Sequence, residues 1–257
     1  MKYIIISETN TASRNIGRFL EKMKVPASVK VIKTKNSVLA LEDDLKNINA
    51  AEIIIVASTH ESEAGVPMLN AHFTGNFGDD VSHGGSPRRL SIAPALYQRA
   101  AVLEYEKLKT RDERLKTYVV GIEATHHGPS LDLPILFVEV GSSEKEWNDL
   151  VACEAAAKVI LKLVSQEPEK VPVATGFGGG HYCPQFTKKL FEEGFAFGHI
   201  CPKYAADNLT EDIILQVINK TTPLPNKVLI EWKGLNKGQR DKIISILEKN
   251  VLKWERI

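Results

Sequence analysis

Seven short runs rich in isoleucine and valine recur along the chain: YIIIS (3–7), SVKVIKT (28–34), EIIIVAS (52–58), TYVVGIEA (117–124), PILFVEVG (134–141), VPVATGF (171–177) and KVLIEWK (227–233). Their continuous apolarity suits strands covered on both faces. Segments of helical period separate several of them, at 10–23, 93–109, 144–165, 185–193, 210–220 and 237–249. The alternation predicts an α/β fold with a largely parallel or mixed sheet and helices on both faces. With 257 residues and 43% hydrophobic content the chain can bury one substantial core, so a single domain over 1–257 is expected.

Within 144–165 the stretch SSEKEW offers serine caps followed by acids, and apolar residues then repeat through LVACEAAAKVILKLV. One continuous helix is expected there, with Cys153 in the core. The segment 59–90 shows neither strand nor helix period. Loops inside compact domains rarely exceed about 12–15 residues unless they carry function, so a long functional loop is expected near 59–90.

Charge and cysteine usage exclude some classes. The 33 basic and 32 acidic side chains leave a formal charge of +1, so no global field steers the protein to nucleic acid or an anionic membrane. Any polyanion must meet a local patch, and Arg88, Arg89, the run Lys107 to Lys116, Lys188 and Lys189 are the candidates, Arg88 and Arg89 first because they flank the long segment. Three cysteines without CxxC spacing argue against a disulfide scaffold or zinc ribbon and for a reducing compartment. The N-terminal apolar run is too short for a signal peptide and no uncharged stretch reaches membrane-spanning length, so a soluble cytoplasmic protein is expected.

Six of the seven histidines (His60, His72, His83, His126, His127 and His181) fall in expected turns or loops, and only His199 in a strand. His60, the His126–His127 pair and His181 each follow an expected strand. In a parallel sheet such ends share one edge, where ligands bind. Adjacent histidines on a regular strand face opposite ways, but Gly128 and Pro129 break the strand and let both rings turn to one cleft. Neutral imidazole serves as a general base or a zinc ligand, and Glu123 could orient an imidazole or act as the base itself. The glycine-rich GFGGGHYCP (176–184) follows a strand and leads into a helix, an arrangement whose free N–H groups hold anions or oxyanions. It lacks GxGxxG and GxxxxGK[ST], so it reads as a substrate cradle built on Gly178, Gly179, Gly180 and Tyr182 rather than a nucleotide loop.

HFTGN (72–76), GIEATHHGP (121–129), VEVGSSEKEW (138–147) and GFGGGHYCPQF (176–186) together, in this order and across nearly the whole chain, resemble the D-aminoacyl-tRNA deacylase family of archaea and plants. The resemblance implies hydrolysis of the ester joining a D-amino acid to the tRNA 3′ end, with zinc as cofactor and a fold related to phosphorylases and peptidyl-tRNA hydrolases. On this basis Glu123, His126 and His127 are the expected catalytic residues, and His126, His127 and His181 the expected zinc ligands. His72, Gly75 and Asn76 join Gly178, Gly179, Gly180 and Tyr182 as substrate contacts, and Arg88, Arg89, Lys188 and Lys189 hold the tRNA. A monomer is expected. The rival readings are a metal-free hydrolase, a nucleoside phosphorylase-like enzyme and a non-catalytic tRNA-binding protein.

Overall fold

All seven isoleucine and valine runs become strands in the computed structural model, which describes residues 1–257. The first half contains β1 (Lys2–Ser7), α1 (Thr11–Leu20), β2 (Val29–Thr34), the one-turn α2 (Glu42–Leu45), β3 (Ile53–Glu61) and β4 (Met68–His72). Three two-residue strands follow, β5 (Gly75–Asn76), β6 (Arg89–Leu90) and β7 (Ala93–Pro94), and then α3 (Ala95–Arg111), β8 (Val119–Ile122) and β9 (Ile135–Ser142). Next come α4 (Glu144–Trp147), α5 (Leu150–Ser165), β10 (Val173–Phe177), α6 (Pro184–Glu192) and β11 (Ala196–Cys201). The chain closes with α7 (Glu211–Asn219), β12 (Thr221–Thr222), β13 (Lys227–Ile230), α8 (Lys237–Lys249) and β14 (Trp254–Arg256).

A six-stranded sheet has the order β2-β1-β3-β9-β4-β8, and a four-stranded sheet the order β11-β10-β13-β14. In the larger sheet β1, β2, β3 and β9 run parallel. β4 lies antiparallel to β9, and β8 follows β4, so the last two strands are reversed and the sheet is mixed.

Period-two alternation gives the large sheet two unlike faces. Ile4, Ile6, Ile53, Ile55, Leu136 and Val138 pack under α1, α3 and α5 in the main core. Tyr3, Ile5, Ile54, Val56, Ile135 and Phe137 point the other way, against Val38, Leu41 and Leu45 around α2. A separate core joins β13 to α7 and α8 through Val228, Ile213, Val217 and Ile243. Each such aliphatic side chain contributes about 1.5–3 kcal/mol by leaving water.

Two local expectations change. The helix expected over 144–165 is two helices, because Asp149 accepts from the backbone N–H groups of Val151 (2.9 Å) and Ala152 (3.4 Å) and restarts it, while Ser143 and Glu146 form a capping box on the first turn. The segment 59–90 is no single loop: β3 extends to Glu61 and Met68–His72 is a fully buried strand. Asn70 and His72 are polar at positions that face inward, which erased the strand pattern. His60 and His72 therefore sit in strands rather than loops. No helix is long and apolar enough to cross a membrane.

Candidate active site

The sheet register assembles the site. Ser58 lies beside Glu139, Glu139 beside Asn70, and Phe137 beside His72, while His60 lies two residues further along β3 than Ser58 and Glu123 one residue beyond the end of β8. Alternation places Ser58, His60, Asn70, His72, Glu123 and Glu139 on one face, continuing the rows that begin with Ile54, Val56 and Ile135. The site thus occupies a sheet face. The single carboxyl edge expected from a parallel sheet does not exist, because β4 and β8 are reversed.

Glu123 is the hub. Its Oε1 lies 3.0 Å from Nδ1 of His60 and accepts from Asn70 Nδ2 at 2.7 Å. Its Oε2 lies 3.5 Å from Nε2 of His181 and 3.9 Å from Nε2 of His126. Burial pushes this carboxyl upward, but the neighbouring imidazoles of His181 and His60 outweigh it and hold the pKa well below the usual range, so Glu123 is ionised. For His60, burial lowers the pKa and the bond to Glu123 more than compensates, leaving it raised. The other nitrogen of His60 lies 3.4 Å from the Tyr182 hydroxyl, which donates to Ser62 Oγ at 2.6 Å.

Beside this dyad three imidazoles converge. Nδ1 of His72 faces the carbonyl of Phe73 (3.1 Å), that of His126 the carbonyl of Ala124 (2.8 Å), and that of His127 the carbonyl of Gly128 (2.5 Å). Each bond fixes the proton on Nδ1 and leaves Nε2 as a lone-pair donor. The candidate ligand atoms of the three lie within 4.8 Å of one another. His127 adopts φ +43°, in the left-handed region, and its carbonyl accepts from Gly75 N at 2.7 Å; this turn brings both rings of the pair to one side, 4.4 Å apart.

The cluster fits a metal on two structural grounds. His72 Nε2 and Glu123 Oε2 are buried without a hydrogen-bond partner. Burial, then the neighbouring His72, holds His126 well below the normal imidazole value and His127 at about 3, so both are neutral donors. His72 moves the other way: burial lowers it, but Glu139, whose Oε1 is 3.5 Å from Nε2, raises it overall.

The residues expected from sequence are distributed as follows. His126 and His127 stand together, but their third partner is His72, placed among the substrate contacts by sequence reading. His181 approaches Glu123 and His126 instead, in a second candidate group. A cleft of about 830 Å³ opens over the cluster, lined by His60, His126, His127, His181, Asn76 and Tyr204 among others. Tyr204 Oη lies 3.1 Å from Nδ1 of His181. Gly75 and Asn76 act on the walls: a side chain at Gly75 would strike Leu90, and Asn76 donates to Gly84 O (2.9 Å) and Ser86 O (3.2 Å).

The glycine cradle is corrected. Gly178 N donates to Cys201 O (2.8 Å) and Gly179 N to Gly234 O (3.3 Å), so these amides are internally bonded; at φ +107° and +77° they pack against Glu231. Gly180 has open space around it. Two of the three glycine amides expected to cradle an anion are therefore engaged within the fold.

The basic candidates are likewise engaged. Arg88 forms a two-pronged pair with Asp79 (2.8 Å each), Arg89 pairs with Asp132 (2.5 Å), Lys188 with Glu192 (3.8 Å) and Lys189 with Glu193 (2.7 Å). Sequence reading placed His60 at the ligand edge without a stated role, and assigned none to Asn70, Glu139 or Tyr204. The signal for Glu139 was available, since a lone carboxylate inside an apolar strand must find a buried partner.

A family model described as D-aminoacyl-tRNA deacylase matches residues 48–255. The D-aminoacyl-tRNA deacylase of Methanocaldococcus jannaschii is 35% identical over 266 aligned residues, covering 100% of both chains. That of Methanosarcina barkeri is 40% identical over 199 residues, 77% of this chain and 63% of the relative. The crystal structure of a conserved protein of unknown function, AF0625, superposes with a TM-score of 0.89 at 27% identity, covering 100% of this chain and 95% of that one.

Proposed function

The chain belongs to the D-aminoacyl-tRNA deacylase family, and we propose that it hydrolyses the ester of D-aminoacyl-tRNA, releasing tRNA and the free D-amino acid. The observation that carries this reading is the polar cleft in which an oriented Glu123–His60 dyad faces three converging imidazoles.

Ester hydrolysis needs a base for water, charge stabilisation for the oxyanion, and a proton for the departing ribose oxygen. Nδ1–H of His60 is donated to Glu123, so Nε2 takes the proton from water and returns it to the ribose oxygen. Ionised Glu123 steadies the imidazolium in between, and Asn70 fixes the carboxylate. Tyr182 holds the outer edge of the His60 ring, while His181 and Tyr204 line the mouth. His72, His126 and His127 would hold zinc, which when bound supplies Lewis acidity toward the ester carbonyl and water.

The two substrate enantiomers differ only around one carbon, so discrimination rests on a clash or an unmade contact to the amino group. The enzyme is taken as a cytoplasmic monomer; its three cysteines are free and buried, which a reducing compartment accommodates. Release of amino acid from matched D- and L-aminoacyl-tRNA tests the reading. Much faster release from the D form is expected, and equal rates would overturn it.

A further inference from the structure

The near-zero net charge conceals an asymmetry. Residues 227–257 hold eight basic and four acidic side chains, whereas residues 1–226 hold 25 and 28. In that segment Lys227, Lys237 and Lys249 are paired with Glu255, Asp241 and Glu211, but Lys233, Arg240, Lys242, Lys253 and Arg256 have no carboxylate partner.

Two of these unpaired cations, Arg240 and Arg256, flank one ring. The guanidinium carbons of Arg240 and Arg256 lie 4.6 and 4.8 Å from the Trp232 centroid, and Arg240 also donates to the carbonyls of Trp232 (2.8 Å) and Leu235 (2.6 Å). Lys233, next to Trp232 in the chain, is exposed. Lys203, also exposed and unpaired, joins from the other side: its N–H donates to Gly179 O at 2.9 Å, and Gly179 N donates to Gly234 O at 3.3 Å. The next residue, Tyr204, lines the cleft. Three acids are nearby: Glu231 is half-buried behind Gly179, Asp207 accepts from Gln239 at 3.0 Å, and Glu255 is held by Lys227.

We propose that this Trp232-centred basic surface receives the phosphate backbone of the tRNA acceptor stem while the aminoacylated 3′ end enters the adjoining cleft. The proposal rests on the deacylase reading for its partner. Its physical basis is charge complementarity: unpaired Lys and Arg beside an aromatic ring can meet phosphates without first breaking an ion pair, and they gain from counterion release. Arg88, Arg89, Lys188 and Lys189 must each leave a carboxylate to do the same.

The test is the double variant Lys203→Glu, Lys233→Glu, whose sites are exposed and unpaired, with folding checked by thermal melting. Affinity for uncharged tRNA is measured against salt concentration, together with kcat/KM on D-aminoacyl-tRNA and on a D-aminoacylated CCA trinucleotide. Affinity is expected to fall at least about tenfold, with the log–log salt slope shallower by roughly 1 to 2, given about 0.9 per phosphate contact. kcat/KM should fall far more on the tRNA than on the trinucleotide. Unchanged affinity and slope, or equal losses on both substrates, would overturn the surface. Should the wild type leave D-aminoacyl-tRNA intact, the deacylase reading fails, and the affinity for uncharged tRNA still decides the surface.

Discussion

Strand β9 presents two different chemistries to its two sides. Leu136, Val138 and Val140 enter the apolar core beneath α1, α3 and α5, whereas Phe137 and Glu139 face the cleft beside His60, Asn70 and His72. On the cleft side three buried polar atoms, Asn70 Oδ1, His72 Nε2 and Glu123 Oε2, lack hydrogen-bond partners. Each such atom costs about 1–3 kcal/mol. One face therefore stabilises the sheet, and the other holds groups whose satisfaction awaits a ligand.

The sharpest division of labour is expected from His60→Ala, which should lower turnover of D-aminoacyl-tRNA by about 10²–10⁴-fold, the range of a general base, with little change in thermal melting. Single-turnover kinetics reads the effect, and a folded variant losing under threefold would end the dyad model. On the same face, His72→Ala should strip bound zinc from protein purified without a metal-affinity tag, which elemental analysis measures; retained stoichiometric zinc would remove His72 from the ligand set.

Leu136→Ala should do the converse. A buried Leu to Ala change costs about 2–5 kcal/mol in stability, visible in urea unfolding, while turnover of the folded fraction stays near wild type. Loss of turnover without loss of stability would break the comparison between faces.

A subtler effect belongs to pH. His127 has a folded pKa of about 3, so as pH falls from about 6.5, the unfolded value, toward 3 the unfolded chain binds a proton that the folded chain refuses. Its contribution is thus destabilising below pH 6.5. His60 and His72, whose folded values are raised, act in the opposite sense: they stabilise at low pH and lose that contribution as pH rises through their folded values. His127→Asn keeps a side chain that tolerates φ +43° and removes the titration. Its urea midpoint should fall less between pH 7.5 and 5 than that of wild type; equal falls would show that His127 is not the group.

The smallest effect is expected from replacing Arg88 and Arg89 with Ala. Their exposed pairs with Asp79 and Asp132 contribute little, and tRNA affinity should change by less than about twofold. A large, salt-dependent loss would restore them as phosphate contacts.

Sequence pattern revealed the strands that are apolar on both sides, and the helices between them, because burial alone dictates those residues. It also brought His126, His127, His181 and Glu123 into one region. It missed β4, whose Asn70 and His72 look like loop residues precisely where they are site residues by geometry. Strand direction was equally invisible, since hydrophobicity does not distinguish parallel from antiparallel pairing. The third imidazole was hidden in that same strand, and the packing of Gly178 and Gly179 was not legible because close contact with Glu231 and close approach to a ligand call for the same residue.

The position of β4 also sets a timetable for synthesis. Met68–His72 emerges from the ribosome well before β8, which begins at Val119, and β9, which begins at Ile135, yet these are its two neighbours. Until both have been made, a growing chain carries a strand with two open edges and an unformed catalytic face. Distant pairing of this kind is slow, and open edges invite contact with other chains. Ribosome pausing between residues 72 and 135 should accordingly be the point at which newly made molecules are most exposed to misassembly.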